Sequence, residues 1–131
     1  MRQSVVNIDE KNKQIYYTAM KESSVERHLY RSSLDGKTME KLSGPAGVHK
    51  IYFNEGGSYY LDVFSDRTSP PTLTLHNKDG KAAHTLIGDR PEILAEYDLQ
   101  TPELFTIPTR DNFMMPAQIL KPKDFNPSKK Y

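Results

Sequence analysis

The stretch Leu29-Tyr30-Arg31-Ser32-Ser33-Leu34-Asp35-Gly36-Lys37 decides the fold, because a related stretch returns 44 positions later as Leu73-Thr74-Leu75-His76-Asn77-Lys78-Asp79-Gly80-Lys81. Each stretch runs into Asp-Gly, a strong hairpin signal between apolar runs, since Gly takes a positive φ without steric cost. The same shift aligns Tyr16 with Tyr60, and a shift of 45 aligns the lead-in at 6–10 with that at 51–55. Chance similarity between hairpins is the alternative, but the preserved order favours a true repeat.

Short apolar runs separated by turn residues predict about eight strands: Val5–Asp9, Ile15–Met20, Arg27–Leu34, Thr38–Leu42, Val48–Phe53, Tyr59–Phe64, Leu73–His76 and Thr85–Ile87. Four antiparallel strands in each 44-residue unit are typical of β-propeller blades. The sequence therefore predicts a mainly β protein with one blade at 1–44 and a second at 45–88. Because propellers need at least four blades, we expect this chain to be a segment of a longer protein.

The character of the sequence changes after residue 88. Asp89-Arg90-Pro91-Glu92 has the pattern of a capping box with Pro in the first turn, which predicts a connector at 89–102 with a helix of two to three turns. Leu104–Thr109 and Phe113–Leu120 predict a further hairpin around Arg110-Asp111-Asn112, within a last segment at 103–131.

Composition excludes several classes of function. The 131 residues carry a net charge of +1, so nothing indicates a nucleic-acid partner, and the lysines near the C-terminus are expected to be solvated. The chain has no Cys, which excludes disulfides, zinc thiolates and Cys nucleophiles. No apolar run approaches the ~20 residues of a membrane span, and the first residues do not form a signal peptide.

Several segments carry a resemblance to a known family. Ile15-Tyr16-Tyr17-Thr18-Ala19, Glu26–Gly36 and Asn54–Asp62 resemble the last propeller blades of dipeptidyl peptidase IV-like serine peptidases, in the prolyl oligopeptidase family. Ala95-Glu96-Tyr97 and Pro102–Thr106 resemble the connector that follows, while Ile119–Pro122 and Phe125–Tyr131 resemble the first hairpin of the α/β-hydrolase domain. One departure is that Asp111-Asn112-Phe113 stands where such proteins have a turn ending in Gly and a Gly-Trp pair; this chain has no Trp.

The resemblance implies that the parent is a serine exopeptidase that releases N-terminal dipeptides, often after Pro or Ala. Its Ser, Asp and His triad would follow Tyr131, and the Glu pair that holds the substrate amine would precede Met1. The chain itself is then expected to hold no catalytic, cofactor-binding or metal-binding residue and to have the rest of the peptidase as its partner. A bacterial parent would be periplasmic or in the cell envelope; the residues themselves leave the compartment undecided.

The residue pattern itself agrees with this expectation. Gly56-Gly57-Ser58-Tyr59-Tyr60 approaches the Gly-x-Ser-x-Gly elbow of a nucleophilic serine but lacks the last Gly, so a hairpin turn is expected there. The four histidines show no metal-ligand spacing and no accompanying carboxylates, and each is expected to be half-buried in a sheet: His28, His49, His76 and His84. Asp62 alternates with Tyr60 and Phe64, which predicts a hydrogen-bonded structural carboxylate.

Two alternatives to the peptidase segment stay open. One is a self-contained β-rich binding module that completes a sheet with a partner chain, and the other is a propeller fragment of a related oligopeptidase or acylaminoacyl peptidase. Exposed strand edges predict self-association under either reading.

Overall fold

A computed structural model describes residues 3–97 and 99–131. The described chain contains ten strands and one helix: β1 (Gln3–Asp9), β2 (Gln14–Ala19), β3 (His28–Ser33), β4 (Met39–Lys41), β5 (Val48–Phe53), β6 (Tyr59–Ser65), β7 (Thr72–Asn77), β8 (Ala82–Ile87), α1 (Pro91–Glu96), β9 (Glu103–Pro108) and β10 (Met114–Ile119).

Neighbouring strands pair antiparallel in chain order and form two four-stranded sheets, β1–β4 and β5–β8. The Asp-Gly turns close the expected hairpins: Gly36 has φ +74° and Gly80 has φ +85°, conformations that Gly adopts without strain. The predicted mainly β fold with two four-stranded sheets is confirmed.

The first compact unit reaches Arg90 and contains both four-stranded sheets. Its core is a cluster of four buried side chains, Tyr16 and Leu29 from the first sheet and Ile51 and Tyr60 from the second. Phe53 packs between the two tyrosines, with ring centroids 4.9 Å from Tyr16 and 5.1 Å from Tyr60. The two sheets therefore share one hydrophobic core.

The strand register corrects the predicted alignment of Tyr16 with Tyr60. In the first sheet Asp9, the last residue of β1, pairs with Gln14. At the corresponding place in the second sheet the Asn54 N–H donates to the Tyr59 carbonyl, so Asp9 corresponds to Asn54 and Gln14 to Tyr59. The repeat is therefore 45 residues long in the first two strands of each sheet. It is 44 residues in β3 and β7, because the loop before β7 is shorter.

A one-residue slip in register turns a side chain to the opposite face of its sheet. Tyr16 faces the second sheet and is equivalent to Leu61, whereas Tyr60 faces back toward the first sheet. Leu29 and Leu73 are equivalent, as the sequence predicts, and Leu73 pairs with Val63 on the face that Leu61 also occupies.

Ion pairs join the turn between β7 and β8 to the first sheet. The Arg31 guanidinium contacts Asp79 at 2.5 Å and Glu40 at 2.7 Å. Burial opposes the charge of Arg31, but these carboxylates outweigh it and raise its pKa. Lys78 Nζ lies 3.0 Å from Asp9. The same turn that closes the second sheet is therefore tied to the first.

The second compact unit runs from Pro91 to Tyr131. Helix α1 has only six residues, so it is shorter than the predicted two to three turns; a helix this short gains few backbone bonds against its nucleation cost. The β9–β10 hairpin confirms the predicted pair of strands. Asn112 has φ +63° in its turn, a left-handed conformation that Asn tolerates in place of Gly.

Candidate functional site

The most polar part of the buried interior lies where the two four-stranded sheets meet. We call it the histidine junction and define it by His28, His49, Ser43, Asp62 and Glu26. The two histidine side chains are almost fully buried, at 0% and 1% exposure, and their ring centroids are 5.3 Å apart. The expectation of half-buried histidines is therefore wrong for these two.

Backbone pairing brings the two histidines together. A parallel bridge joins Arg27 to Val48, with Arg27 N–H donating to Gly47 O at 2.9 Å and His49 N–H donating to Arg27 O at 2.9 Å. Strand β5 therefore begins beside the start of β3, and His49 comes to lie against His28.

His28 connects a serine and a glutamate in the order of a hydrolase triad. Its Nδ1 lies 2.9 Å from Ser43 Oγ and its Nε2 lies 2.9 Å from Glu26 Oε2. Ser43 Oγ also accepts the Leu29 amide at 3.1 Å, and Ser43 is only 8% exposed. A nucleophilic serine must reach a substrate carbonyl, so this burial favours a structural role for the array.

A carboxylate cluster also surrounds His28, contrary to the sequence expectation. Single ligand atoms of Glu22, Glu26 and His28 lie within 4.8 Å of one another, a grouping that could hold a metal ion. The Lys41 ammonium already lies 2.7 Å from Glu22 Oε2, and this hydrogen bond lowers the pKa of that carboxyl. The loop between β2 and β3 folds back over the start of β3, which brings together residues whose spacing in sequence does not show the group.

His49 forms the second half of the junction. Its Nδ1 lies 2.7 Å from Asp62 Oδ2 and its Nε2 lies 3.0 Å from the carbonyl oxygen of Pro45. Burial of the ring opposes its charge, but the two acceptors outweigh burial and raise the pKa of His49. The prediction of a hydrogen-bonded Asp62 is confirmed for Oδ2; Oδ1 is buried without a partner.

A cavity of about 390 Å³ lies beside this pair, lined among others by Pro45, His49, Asp62, Thr74 and His76. Leu42 and Gly44, which follow β4 in the chain, also line it. Burial beside Asp62 raises the pKa of the Tyr60 hydroxyl. The residues around the cavity can supply hydroxyl, imidazole and carboxylate groups.

The remaining sequence candidates are not members of the histidine junction, although His76 shares the cavity beside it. Gly56-Gly57-Ser58 forms the predicted turn between β5 and β6, where Asn54 Oδ1 accepts the amides of Ser58 and Tyr59. His76 stacks on Tyr60 at 5.1 Å and bonds to Gly80 O, whereas His84 is exposed, so half-burial is wrong for it too.

Sequence reasoning missed the array of Ser43, His28 and Glu26. One signal was available, because Glu26 and His28 are two residues apart and can point to the same side of an extended chain. Ser43 is 15 positions from His28 and becomes its neighbour only through the pairing of β3 with β4. The loop residue Glu22 gave no signal.

No helix within residues 3–97 and 99–131 combines the length and the apolar character needed to cross a membrane.

Comparison with known proteins identifies relatives. Residues 2–71 match the family described as "Dipeptidyl peptidase IV (DPP IV) N-terminal region". A probable dipeptidyl-aminopeptidase B of Emericella nidulans is 32% identical over 89% of the chain, and dipeptidyl peptidase 4 of Trichophyton rubrum is 30% identical over 98%. The chain spans 14% and 17% of the lengths of these two relatives.

A solved structure gives the same result for the fold. The crystal structure of Porphyromonas gingivalis dipeptidyl peptidase 4 covers 98% of this chain with a TM-score of 0.82 and 25% sequence identity. The chain corresponds to 18% of that protein. The mainly β fold is therefore that of a segment within a much longer polypeptide chain.

Proposed function

Because the chain belongs to the dipeptidyl peptidase IV N-terminal region family, we propose that it is a non-catalytic propeller segment of a serine exopeptidase that releases N-terminal dipeptides. In this proposal the segments 1–44 and 45–88 are consecutive blades, 89–102 is the connector, and 103–131 begins the α/β-hydrolase domain. The segment would help to form the propeller wall that limits access to the peptidase site.

One observation carries the proposal: the second sheet repeats, on its far face, the surface that the first sheet uses for packing. Tyr16 and Leu29 of the first sheet are fully buried against the second. Their equivalents by register, Leu61 and Leu73, are only partly buried. Stacked repeats bury such faces against the next repeat, so this face is suited to a further blade.

The neighbouring side chains support the same interpretation. Tyr52 pairs with Leu61 in the same sheet, and its side chain is 59% exposed. Val63 and Leu75 lie on this face as well and are partly exposed. Burial of such an apolar face stabilises a protein by about 25 cal/mol for each Å² of apolar surface removed from water, which favours a covering layer.

The non-catalytic role is supported by the burial of the array around His28. If Ser43 supplied no chemistry, its loss would leave kcat unchanged even where it lowers stability. In this proposal the catalytic serine would belong to the remainder of the α/β-hydrolase domain that begins at 103–131.

A peptidase assay tests the proposal. The intact protein should hydrolyse Gly-Pro and Ala-Ala p-nitroanilides, with the Xaa-Pro substrate preferred, and the Ser43→Ala variant should keep the same kcat. The isolated 131-residue chain should release no p-nitroaniline. Hydrolysis by the isolated chain, or loss of kcat in a folded Ser43→Ala variant, would contradict a non-catalytic role, while cleavage only of N-acylated substrates would indicate an acylaminoacyl peptidase.

A further inference from the structure

We propose that His49 is held as an imidazolium and acts as a proton-dependent latch that fastens the connector between the two sheets to the second sheet. This inter-sheet connector is the segment from Ser43 to Gly47, between β4 and β5, and is distinct from the connector at 89–102. The latch consists of the two hydrogen bonds from the His49 ring, to the Asp62 carboxylate at 2.7 Å and to the Pro45 carbonyl at 3.0 Å.

The partners of the ring determine its protonation. A carbonyl oxygen and an ionised carboxylate only accept hydrogen bonds, and a neutral imidazole carries a single N–H. While Asp62 is ionised, both bonds of His49 can therefore be made at the same time only when both ring nitrogens carry a proton. With the ring at 1% exposure, water cannot easily replace a lost partner.

His28 provides an internal comparison at equal burial. Its Nε2–H can donate to Glu26, and its Nδ1 can accept from the Ser43 hydroxyl, which both donates and accepts. A single ring N–H is therefore enough to satisfy both partners of His28, whereas both ring nitrogens of His49 face acceptors.

Other charged and titratable groups around His49 come from several elements. Asp62 of β6 favours the imidazolium, whereas Lys41 of β4 opposes it at longer range. Four other titratable groups lie near the pair. The His28 ring contacts His49 directly, and Glu26 is a partner of the His28 ring. Tyr60 interacts with the Asp62 carboxylate, and His76 lines the same cavity. The two bonds to acceptors outweigh burial, so the net effect raises the pKa of His49.

Loss of the proton would release the connector rather than the strand. The carboxylate is the stronger acceptor, so a neutral ring keeps its N–H toward Asp62 and gives up the bond to Pro45. Pro45 also lines the 390 Å³ cavity, which leaves room for the connector to move. The pKa of His49 is raised above its unfolded value of 6.5. Its protonation therefore stabilises the fold fully below pH 6.5, and this contribution is lost as the pH rises through the folded-state pKa.

Hydrogen-exchange mass spectrometry of the intact protein tests the latch. Protection of a peptide that covers residues 43–50, corrected for the intrinsic pH dependence of exchange, should fall about fivefold from about pH 5.5 to about pH 9, the effect of one hydrogen bond of ~1 kcal/mol. Asp62→Asn should move this transition to lower pH by at least about one unit, because it removes the negative charge. His84→Gln, at an exposed position, should leave it unchanged.

Two results would overturn the proposal. One is protection of the 43–50 peptide that stays constant over this pH range, and the other is an unshifted transition in Asp62→Asn. Where Asp62→Asn does not fold, histidine-selective ¹³C and ¹⁵N spectra of the unmodified protein decide the matter. They should show one buried imidazolium at neutral pH, and a spectrum in which every buried histidine is neutral rejects the latch.

Discussion

Replacing Leu29 with alanine tests whether the two sheets share a single core. Leu29 is fully buried in the cluster with Tyr16, Ile51 and Tyr60, so truncation removes apolar contacts with both sheets. Leu→Ala changes in protein cores cost 2–5 kcal/mol, and rigid aromatic neighbours limit collapse around the cavity. We expect a loss of about 3 kcal/mol in the free energy of opening, which is a roughly 150-fold larger open population.

Native-state hydrogen exchange measures this loss directly. Peptides from β3 and from β5 should both exchange faster in Leu29→Ala, because the core joins their sheets. Leu86→Ala is the matched control: Leu86 is 53% exposed, so exchange should change less than about twofold. Faster exchange confined to β3, or an equal effect of the control, would refute the shared core.

Three further predictions concern the joints around this core. Arg31→Met keeps the side-chain stem but removes the pair with Asp79, which is 59% exposed, so thermal unfolding should show a loss of only about 1 kcal/mol; no loss would remove the ion pair from the account. Gly47→Ala should lower the free energy of unfolding in a urea titration by about 2 kcal/mol or more. The φ of Gly47 is +150°, and an added Cβ would lie 2.7 Å from the Ser65 backbone oxygen in β6. Gly44→Ala is the control and should be neutral, because a Cβ there meets open space. The pKa of Asp9 is lowered from 3.8 to about 2, first by its hydrogen bonds to Asn12 in the following turn. The stabilising effect of the ionised carboxylate should therefore be lost as the pH falls through that range. Asp9→Asn should remove this part of the acid dependence of unfolding, and an acid-unfolding titration that is unchanged in the variant would contradict the prediction.

The strands were predictable because each is short, apolar and bounded by Gly, Pro or Asp. The Asp-Gly pairs at 35–36 and 79–80 fixed two hairpins, and the repeat fixed the number of sheets. The face of each strand was harder to predict. Tyr16 and Tyr60 are identical residues 44 positions apart, yet a one-residue difference between the repeats places them on opposite faces.

The histidine junction could not be read from the sequence. Two of its bonds join residues far apart in the sequence, His28 with Ser43 at 15 positions and His49 with Asp62 at 13 positions. They depend on strand register and on the parallel bridge between the sheets. The pattern around Asp62 predicted that its carboxylate needed a partner, because a buried charge without one is costly. It did not identify that partner.

The central claim is that a further blade covers the far face of the second sheet, and thiol labelling at Leu73 tests it most directly. The chain has no Cys, so Leu73→Cys in the intact protein places a single thiol in this segment, identifiable by peptide mass spectrometry. We predict that this thiol resists labelling in the folded protein, while the thiol of Leu34→Cys, at a position 52% exposed, reacts readily. Equal labelling of the two thiols in the folded protein would contradict the propeller assignment of this face.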